Sequence, residues 1–321
     1  MQDINTSQPI WSKFVQNFET IIMNHDYYKK IYEFLIITQN NILLYGSYGF
    51  PTDAFIDQIL KRKFNIKNGL YKQECIWKKD IPYFHNQHFL EIDLLHPNIT
   101  KNLNLICEFI KSVIIIKHIN NEKHCIVIKH VDILNQNDCN SFRIILEKYS
   151  ANAFFICTTY KLDKIDSPIK SRFNLIRIPL FTHENISAIF KNYLLVNVNK
   201  YLVEIKTRNI IKAIFIAQIE MVDENIVTKE FCTFHFPPIY DFMKNFNSKK
   251  CCLDSIKQFS YECFQYNITI PLLFEDLLKI SPKKKKSELI EIAAHYDHIL
   301  NLTNKGREPI YIEAFLCNVL L

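Results

Sequence analysis

Gly46 and Gly49 lie close together at the end of a short apolar run. Residues 41–46 read Asn-Ile-Leu-Leu-Tyr-Gly, and a helical pattern follows from Ala54 to Lys63. Strand, glycine-bounded loop, helix is the layout of a phosphate-binding loop. Such a loop needs G-x-x-x-x-G-K-[ST]: its amides wrap the phosphates, its lysine neutralises them, and its hydroxyl holds magnesium. The segment here is Gly46-Ser47-Tyr48-Gly49-Phe50-Pro51-Thr52-Asp53. Thr52 stands where the lysine belongs. Asp53 replaces the hydroxyl, so a carboxylate faces the phosphate position. Pro51 replaces a glycine and removes an amide donor. The chain has only four glycines, the others being Gly69 and Gly306, so no other segment can form such a loop.

A second chemical position follows the apolar run Cys125–Ile128. An acidic pair there would orient magnesium and activate water. The sequence places Lys129 and His130 instead, and Asp132 lies beyond the position. No His or Cys partner stands at metal-ligand spacing from His130, and no metal site is expected. The ten cysteines include no C-x-x-C pair, and Cys251 and Cys252 are adjacent. They read as buried free thiols of a reducing compartment.

These positions must be held by regular elements. Short apolar runs at 41–46, Cys125–Ile128, Phe154–Cys157 and Leu175–Ile178 alternate with helical patterns, including Asp138–Tyr149. Such alternation predicts a parallel sheet covered on both faces. Asn185–Val198 and Arg208–Met221 then read as helices without strands. After Pro237-Pro238 the chain is helical again: Tyr240–Phe246, Leu253–Tyr266, Pro271–Ile280, Ser287–Leu302 and Glu308–Leu321. At 321 residues, with 48% apolar and 22% charged side chains, the chain has the composition of a folded protein of two or three units. The formal charge of +6 is compatible with a nucleic-acid partner. Lys283–Lys286 reads as a solvated loop. No apolar stretch is long enough to span a bilayer and the N-terminus is polar, so an intracellular location is expected. Heavy use of Asn, Ile and Lys reads as the coding bias of an AT-rich genome, such as that of a large DNA virus or a parasite.

Downstream of the loop a resemblance becomes specific. Ser141-Phe-Arg-Ile-Ile-Leu-Glu-Lys-Tyr-Ser150 resembles the A-L-R-R-T-M-E-K-Y-S helix of replication factor C small subunits, which belong to the AAA+ sliding-clamp loaders. Ser167-Pro-Ile-Lys-Ser-Arg172 resembles their P-P-I-x-S-R-C motif, with Phe173 in place of cysteine. Ala293-Ala-His-Tyr-Asp-His298 and Glu308-Pro-Ile-Tyr-Ile-Glu-Ala-Phe315 resemble the ATPase-degenerate member that closes the E position of the eukaryotic pentamer. The resemblance runs patchily from about Ile42 to Leu320. It is weak over the first forty residues and over 66–112.

The resemblance implies an AAA+ α/β domain over 1–178, a small helical lid over 179–236 and a helical collar for oligomerisation over 237–321. It aligns Tyr160 with the residue that polarises the γ-phosphate and Ile211 with the lid arginine. Phe14-Val15-Gln16 falls loosely on the segment that frames adenine. Gly46, Gly49, Thr52 and Asp53 become a degenerate phosphate loop, and Lys129 and His130 a degenerate acidic motif. The chain is then expected to be no enzyme by itself and to hold no cofactor, ATP and magnesium being bound by neighbouring subunits. Arg172 aligns with the arginine finger offered in trans to the next subunit's nucleotide, and Ser171 orients its loop. As a free finger Arg172 should make few internal contacts. Lys101, Lys111 and Arg143 are candidates for DNA phosphate contacts, which in the family come from helix N-termini. The apolar face Leu289, Ile292, Ala293 and Tyr296 is expected to need burial in the collar assembly. The implied partners are other replication factor C-like subunits in a hetero-pentamer, a PCNA-type sliding clamp and primer-template DNA. The implied location is the nucleus, or for a virus the host nucleus or a cytoplasmic replication factory. The competing readings are an active AAA+ ATPase subunit, a checkpoint-type loader subunit and a stand-alone DNA-binding protein.

Overall fold

A computed structural model describes residues 9–66, 69–78, 80–116, 123–247, 253–281, 286–302 and 308–320. The chain divides into two units. Met1–Val198 with Lys206–Ala217 forms the first, and Asn199–Ile205 with Gln218–Leu321 the second. The cut thus falls inside the segment assigned from sequence to a separate lid.

The first unit opens with α1 (Ile10–Met23) and α2 (Asp26–Ile37). Ile10, Phe14, Phe18, Ile21 and Ile22 recur at helical spacing and bury one face of α1. Then come β1 (Ile42–Tyr45), the glycine-bounded loop and α3 (Thr52–Lys63). The rest of the unit carries β2 (Gln73–Trp77), β3 (Ile81–His85), β4 (Phe89–Asp93), α4 (Pro97–Lys101), α5 (Leu103–Ile114), β5 (His124–Lys129), α6 (Gln136–Lys148), β6 (Ala153–Thr159), α7 (Ser167–Lys170), β7 (Asn174–Arg177) and α8 (His183–Ile189).

All seven strands among the described residues join one sheet in the order β2-β3-β4-β5-β6-β1-β7. From β4 to β7 the pairing is parallel, with Ile42 opposite Ile156 on one side and Asn174 on the other. The buried strands are near-continuous apolar runs, as expected of strands covered on both faces. The sheet is nevertheless mixed, not wholly parallel, because β2, β3 and β4 pair antiparallel at one edge. Gln73–Trp77 escaped the sequence reading because an edge strand is half solvated and carries no apolar run. The core on one face gathers Ile92, Ile106, Phe109, Ile128, Phe142, Ile145 and Phe155. Parallel strands leave their C-terminal ends at one edge, where such sheets bind ligands. Gly46, Asp93, Lys129, Thr159 and Arg177 all sit at or just past those ends.

The helix expected over 185–198 ends earlier. α8 continues as a π-turn to Leu194, and Leu195 takes a left-handed φ of 58° that closes it. Next come α9 (Lys200–Glu204), α10 (Ile210–Val222), through which the unit boundary runs, and α11 (Lys229–Thr233). The second unit continues with α12 (Pro238–Asn247), α13 (Leu253–Gln265), α14 (Ile270–Ile280), α15 (Lys286–Leu302) and α16 (Glu308–Leu320). Its core includes Phe236, Ile239, Phe259, Leu273, Leu277, Leu289, Ala293, Ile312 and Phe315, with Ile292 and Tyr296 packed against it. The apolar face of α15 is therefore covered within its own unit and is not free for a partner, contrary to the sequence reading.

Asp276 anchors the segment before α12. It is fully buried, and its carboxylate accepts the amides of His235 and Phe236 at 2.8–3.0 Å, with Lys279 Nζ at 3.0 Å and His235 Nδ1 at 2.9 Å. Burial alone would raise its pKa. The His235 side chain, the two amides and Lys279 outweigh burial and bring it down to about 2.

Cys107, Cys125, Cys139, Cys157 and Cys263 are buried free thiols, as the sequence suggested, and Cys232 is buried as well. Burial pushes the Cys125 thiol up to about 12, so it is inert. No described helix is long and apolar enough to cross a membrane. Cys251, Cys252, Gly306 and the run Lys283–Lys285 lie outside the described residues.

Candidate functional site: a closed glycine-bounded loop and a paired arginine

The glycines of the loop are fixed by close approach. A Cβ on Gly46 would lie 2.2 Å from the carbonyl oxygen of Ile178. Gly49 has φ +122°, and its α-carbon faces the Asn209 side chain, whose Cγ would be 2.7 Å from an added Cβ. Asn209 also caps α10, accepting the amide of Lys212 at 2.9 Å. Between these contacts the loop turns inward. Phe50 is buried and stacks on Tyr28 at 5.3 Å and on Phe181 at 5.4 Å, with Phe55 edge-on at 5.6 Å. The amide of Thr52, which a working loop would offer to phosphate, donates to the Phe50 carbonyl at 2.8 Å. The Thr52 hydroxyl donates to the same carbonyl at 3.4 Å. The space left between Gly46, Ser47, Thr52, Thr159 and Tyr160 is about 10 Å³. That holds one water, whereas ligand pockets run to roughly 300–1,000 Å³.

Charge is arranged around the same loop. Lys129 ends β5 with its side chain only 10% exposed, and its ammonium lies 2.7 Å from Glu91 and 3.0 Å from Asp53. The other Glu91 oxygen takes Lys72 at 2.6 Å, and Lys72 also holds Asp57 at 2.6 Å. Burial works against the charged form of Lys129. Glu91 and then Asp53 outweigh it and hold the pKa above the ordinary lysine value. Burial raises the Asp57 carboxyl above its ordinary range even with Lys72 beside it. Sequence reasoning found Asp53 and Lys129 but missed Glu91, Lys72 and Phe50. A carboxylate inside the buried run Phe89-Leu-Glu-Ile-Asp93 was the available signal, since such a charge demands a cation.

His130 adopts a left-handed φ of 60° just past β5, where its amide donates to Thr158 Oγ1 at 3.3 Å. Its ring faces Tyr160 at 5.5 Å and is 3.9 Å from Asp93. Asp132 accepts the Thr159 hydroxyl at 2.7 Å. Among the described residues no cluster of His, Cys, Asp or Glu could hold a metal ion. Ile211 is in the first turn of α10, while Arg208 donates to the carbonyls of Leu180 and Phe181.

Arg172 follows α7 at the start of the turn into β7, and Phe173 packs beneath it against Phe142. The guanidinium is not free. It donates to the Pro168 carbonyl, to Ser171 Oγ at 3.1 Å and to Glu147 of α6. The expectation of few internal contacts therefore fails, because Glu147 lies one helix away with a carboxylate at the right height. Arg143, a turn before Glu147, approaches the same carboxylate at 3.9 Å. Lys101 and Lys111 sit in the last turns of α4 and α5, and Arg143 lies mid-helix. None is at a helix N-terminus as the DNA-contact reading supposed. Cations in last turns complement the helix dipole.

The chain thus combines a mixed α/β sheet unit, in which a strand, a glycine-bounded loop and a helix follow one another, with a C-terminal helical unit. No family model matches the chain. Over 220 residues it is 25% identical to replication factor C subunit 5 of Saccharomyces cerevisiae, a stretch that covers 61% of this chain and 60% of that protein's length. Among solved structures, it is similar to a DNA polymerase III gamma subunit-related protein of Thermotoga maritima. There the TM-score is 0.47 and the identity 12%, over 91% of this chain and 97% of the other. RuvB of Thermotoga maritima gives a TM-score of 0.40 and 14% identity, over 64% of this chain and 65% of the other.

Proposed function

We propose that this chain is a non-hydrolysing subunit of a replication factor C-like clamp loader, one that assembles with related subunits and offers Arg172 to a neighbour's nucleotide. In this reading the complex loads a PCNA-type sliding clamp onto primer-template DNA, and ATP and magnesium are held by the other subunits. The observation that carries the reading is a contrast between two loops of one unit. The phosphate loop is closed on itself, with its Thr52 amide and Phe50 ring turned to protein. The Ser171-Arg172 pair is retained at the unit's surface. The likeness to replication factor C subunit 5 supports the same assignment.

Magnesium-ATP, which the family uses, does not suit the groups present here. Asp53 would face phosphate, and Lys129 would face the metal with the wrong sign. Phosphoryl transfer depends on electrostatic stabilisation, and losing one such group costs roughly 10²–10³ in rate. A finger in trans needs only Arg172, which must exchange Glu147 for a phosphate across the subunit boundary. Exposed apolar side chains on the second unit, including Leu253, Tyr261 and Phe264 of α13, are available for assembly. The test is affinity purification of the tagged full chain from its source, followed by mass spectrometry. Related AAA+ subunits in stoichiometric amounts are expected. A chain that purifies alone from cells replicating DNA contradicts the proposal.

A further inference from the structure

A working loop carries lysine and a hydroxyl at its end, and an aspartate at the end of the following acidic strand. Here those positions, 52, 53 and 129, hold threonine, aspartate and lysine. The same three side-chain types are present, rotated by one place. The rotation has a geometric result. In a P-loop protein the hydroxyl and the aspartate hold a magnesium ion between them. In this chain their replacements, Asp53 and Lys129, meet directly at 3.0 Å.

We infer that the Lys129 ammonium is a tethered stand-in for magnesium, neutralising Asp53 and Glu91 from within so that the loop keeps its closed form with no nucleotide. The ammonium lies between two carboxylates from different elements, Asp53 on α3 and Glu91 on β4. Glu91 has a side chain only 3% exposed, and water cannot discharge it. Lys72 repeats the device one step further out, bridging Glu91 and Asp57. Three carboxylates and two ammoniums thus alternate along one chain of contacts. Removing Lys129 leaves a buried carboxylate beside Asp53, which is a setting that favours a small divalent cation with oxygen ligands.

This inference rests on the loop being a relic phosphate site, but not on the role of Arg172. Its failure would leave the assembly and finger readings to their own tests. The experiment uses the isolated full chain and follows thermal unfolding with magnesium chloride or EDTA. The wild-type midpoint should be the same in millimolar magnesium and in EDTA. Lys129→Asp should lower the midpoint by several degrees in EDTA, and magnesium should restore most of the loss. Lys129→Met should fall similarly and respond less to magnesium, because it adds no ligand and occupies the space. A wild-type midpoint that rises with magnesium overturns the inference. So does a Lys129→Asp protein as stable as wild type in EDTA, or one destabilised and indifferent to magnesium. Should Lys129→Asp aggregate under both conditions, Lys129→Ala decides: a magnesium-dependent rise supports the stand-in, and no rise overturns it.

Discussion

Replacing Asp276 by asparagine should destabilise the chain in a pH-dependent way. The carboxylate is fully buried and receives two backbone amides, the His235 ring and Lys279. Asparagine keeps one oxygen of the pair and loses the charge. The size of the effect follows from linkage. A carboxyl held at about 2 instead of 3.8 is shifted by nearly two units. At about 1.4 kcal/mol per unit this contributes roughly 2 kcal/mol at neutral pH. Hydrogen bonds to charged groups, at about 1.5–3 kcal/mol each, set the same scale. The native pKa is depressed, so the stabilisation is present above the unfolded value of 3.8 and is lost as pH falls through about 2. Urea unfolding of wild type and Asp276→Asn at about pH 6 should show the full gap of roughly 2 kcal/mol, and at about pH 3 roughly half of it. No gap at neutral pH, or a gap unchanged in acid, would refute the claim that the charge of Asp276 anchors the segment before α12.

Other perturbations separate the loop's packing from its exposed surface. Phe50→Ala should cost about 3–5 kcal/mol in urea unfolding, since it empties the stack on Tyr28 and Phe181. Tyr48→Ala, two residues away and exposed, should stay within about 0.5 kcal/mol. Equal effects from the two would show that Phe50 is not the anchor. Gly46→Ala should lower the melting midpoint more than Gly69→Ala, because only the former drives a Cβ into the Ile178 carbonyl. Comparable midpoints would place the loop elsewhere.

The elements that carry chemistry were legible where burial is two-sided. Ile42–Tyr45, His124–Lys129 and Ala153–Thr159 contain apolar runs, Cys125–Ile128 and Phe154–Cys157 among them, and those runs marked the strands within a residue or two. β2 and β3 were not legible, because edge strands mix exposed and buried positions. Asp53 and Lys129 stood out singly, each as a misfit in a known pattern. That they satisfy each other could not be read, since it depends on α3 and β5 meeting across the edge of the sheet. Arg172 was read as free because a sequence shows no partner 25 residues away, and Glu147 supplies one. The C-terminal helices were legible, but which of their apolar faces stays open was not. The face on α15 packs inward through Leu289 and Ala293, and that outcome depends on how five helices close on one another.

The most direct test of the central claim is ATP turnover by the purified assembly carrying Arg172→Ala, Arg172→Lys or Thr52→Ala. A trans finger contributes roughly 10³–10⁵ in rate at its own interface. The other interfaces keep theirs, so the total should fall in part with Arg172→Ala. Arg172→Lys should not rescue it, because lysine lacks the planar two-pronged donor. Thr52→Ala should leave turnover unchanged. Full turnover with Arg172→Ala, together with a loss in Thr52→Ala, would contradict the account and make this chain a nucleotide-using subunit.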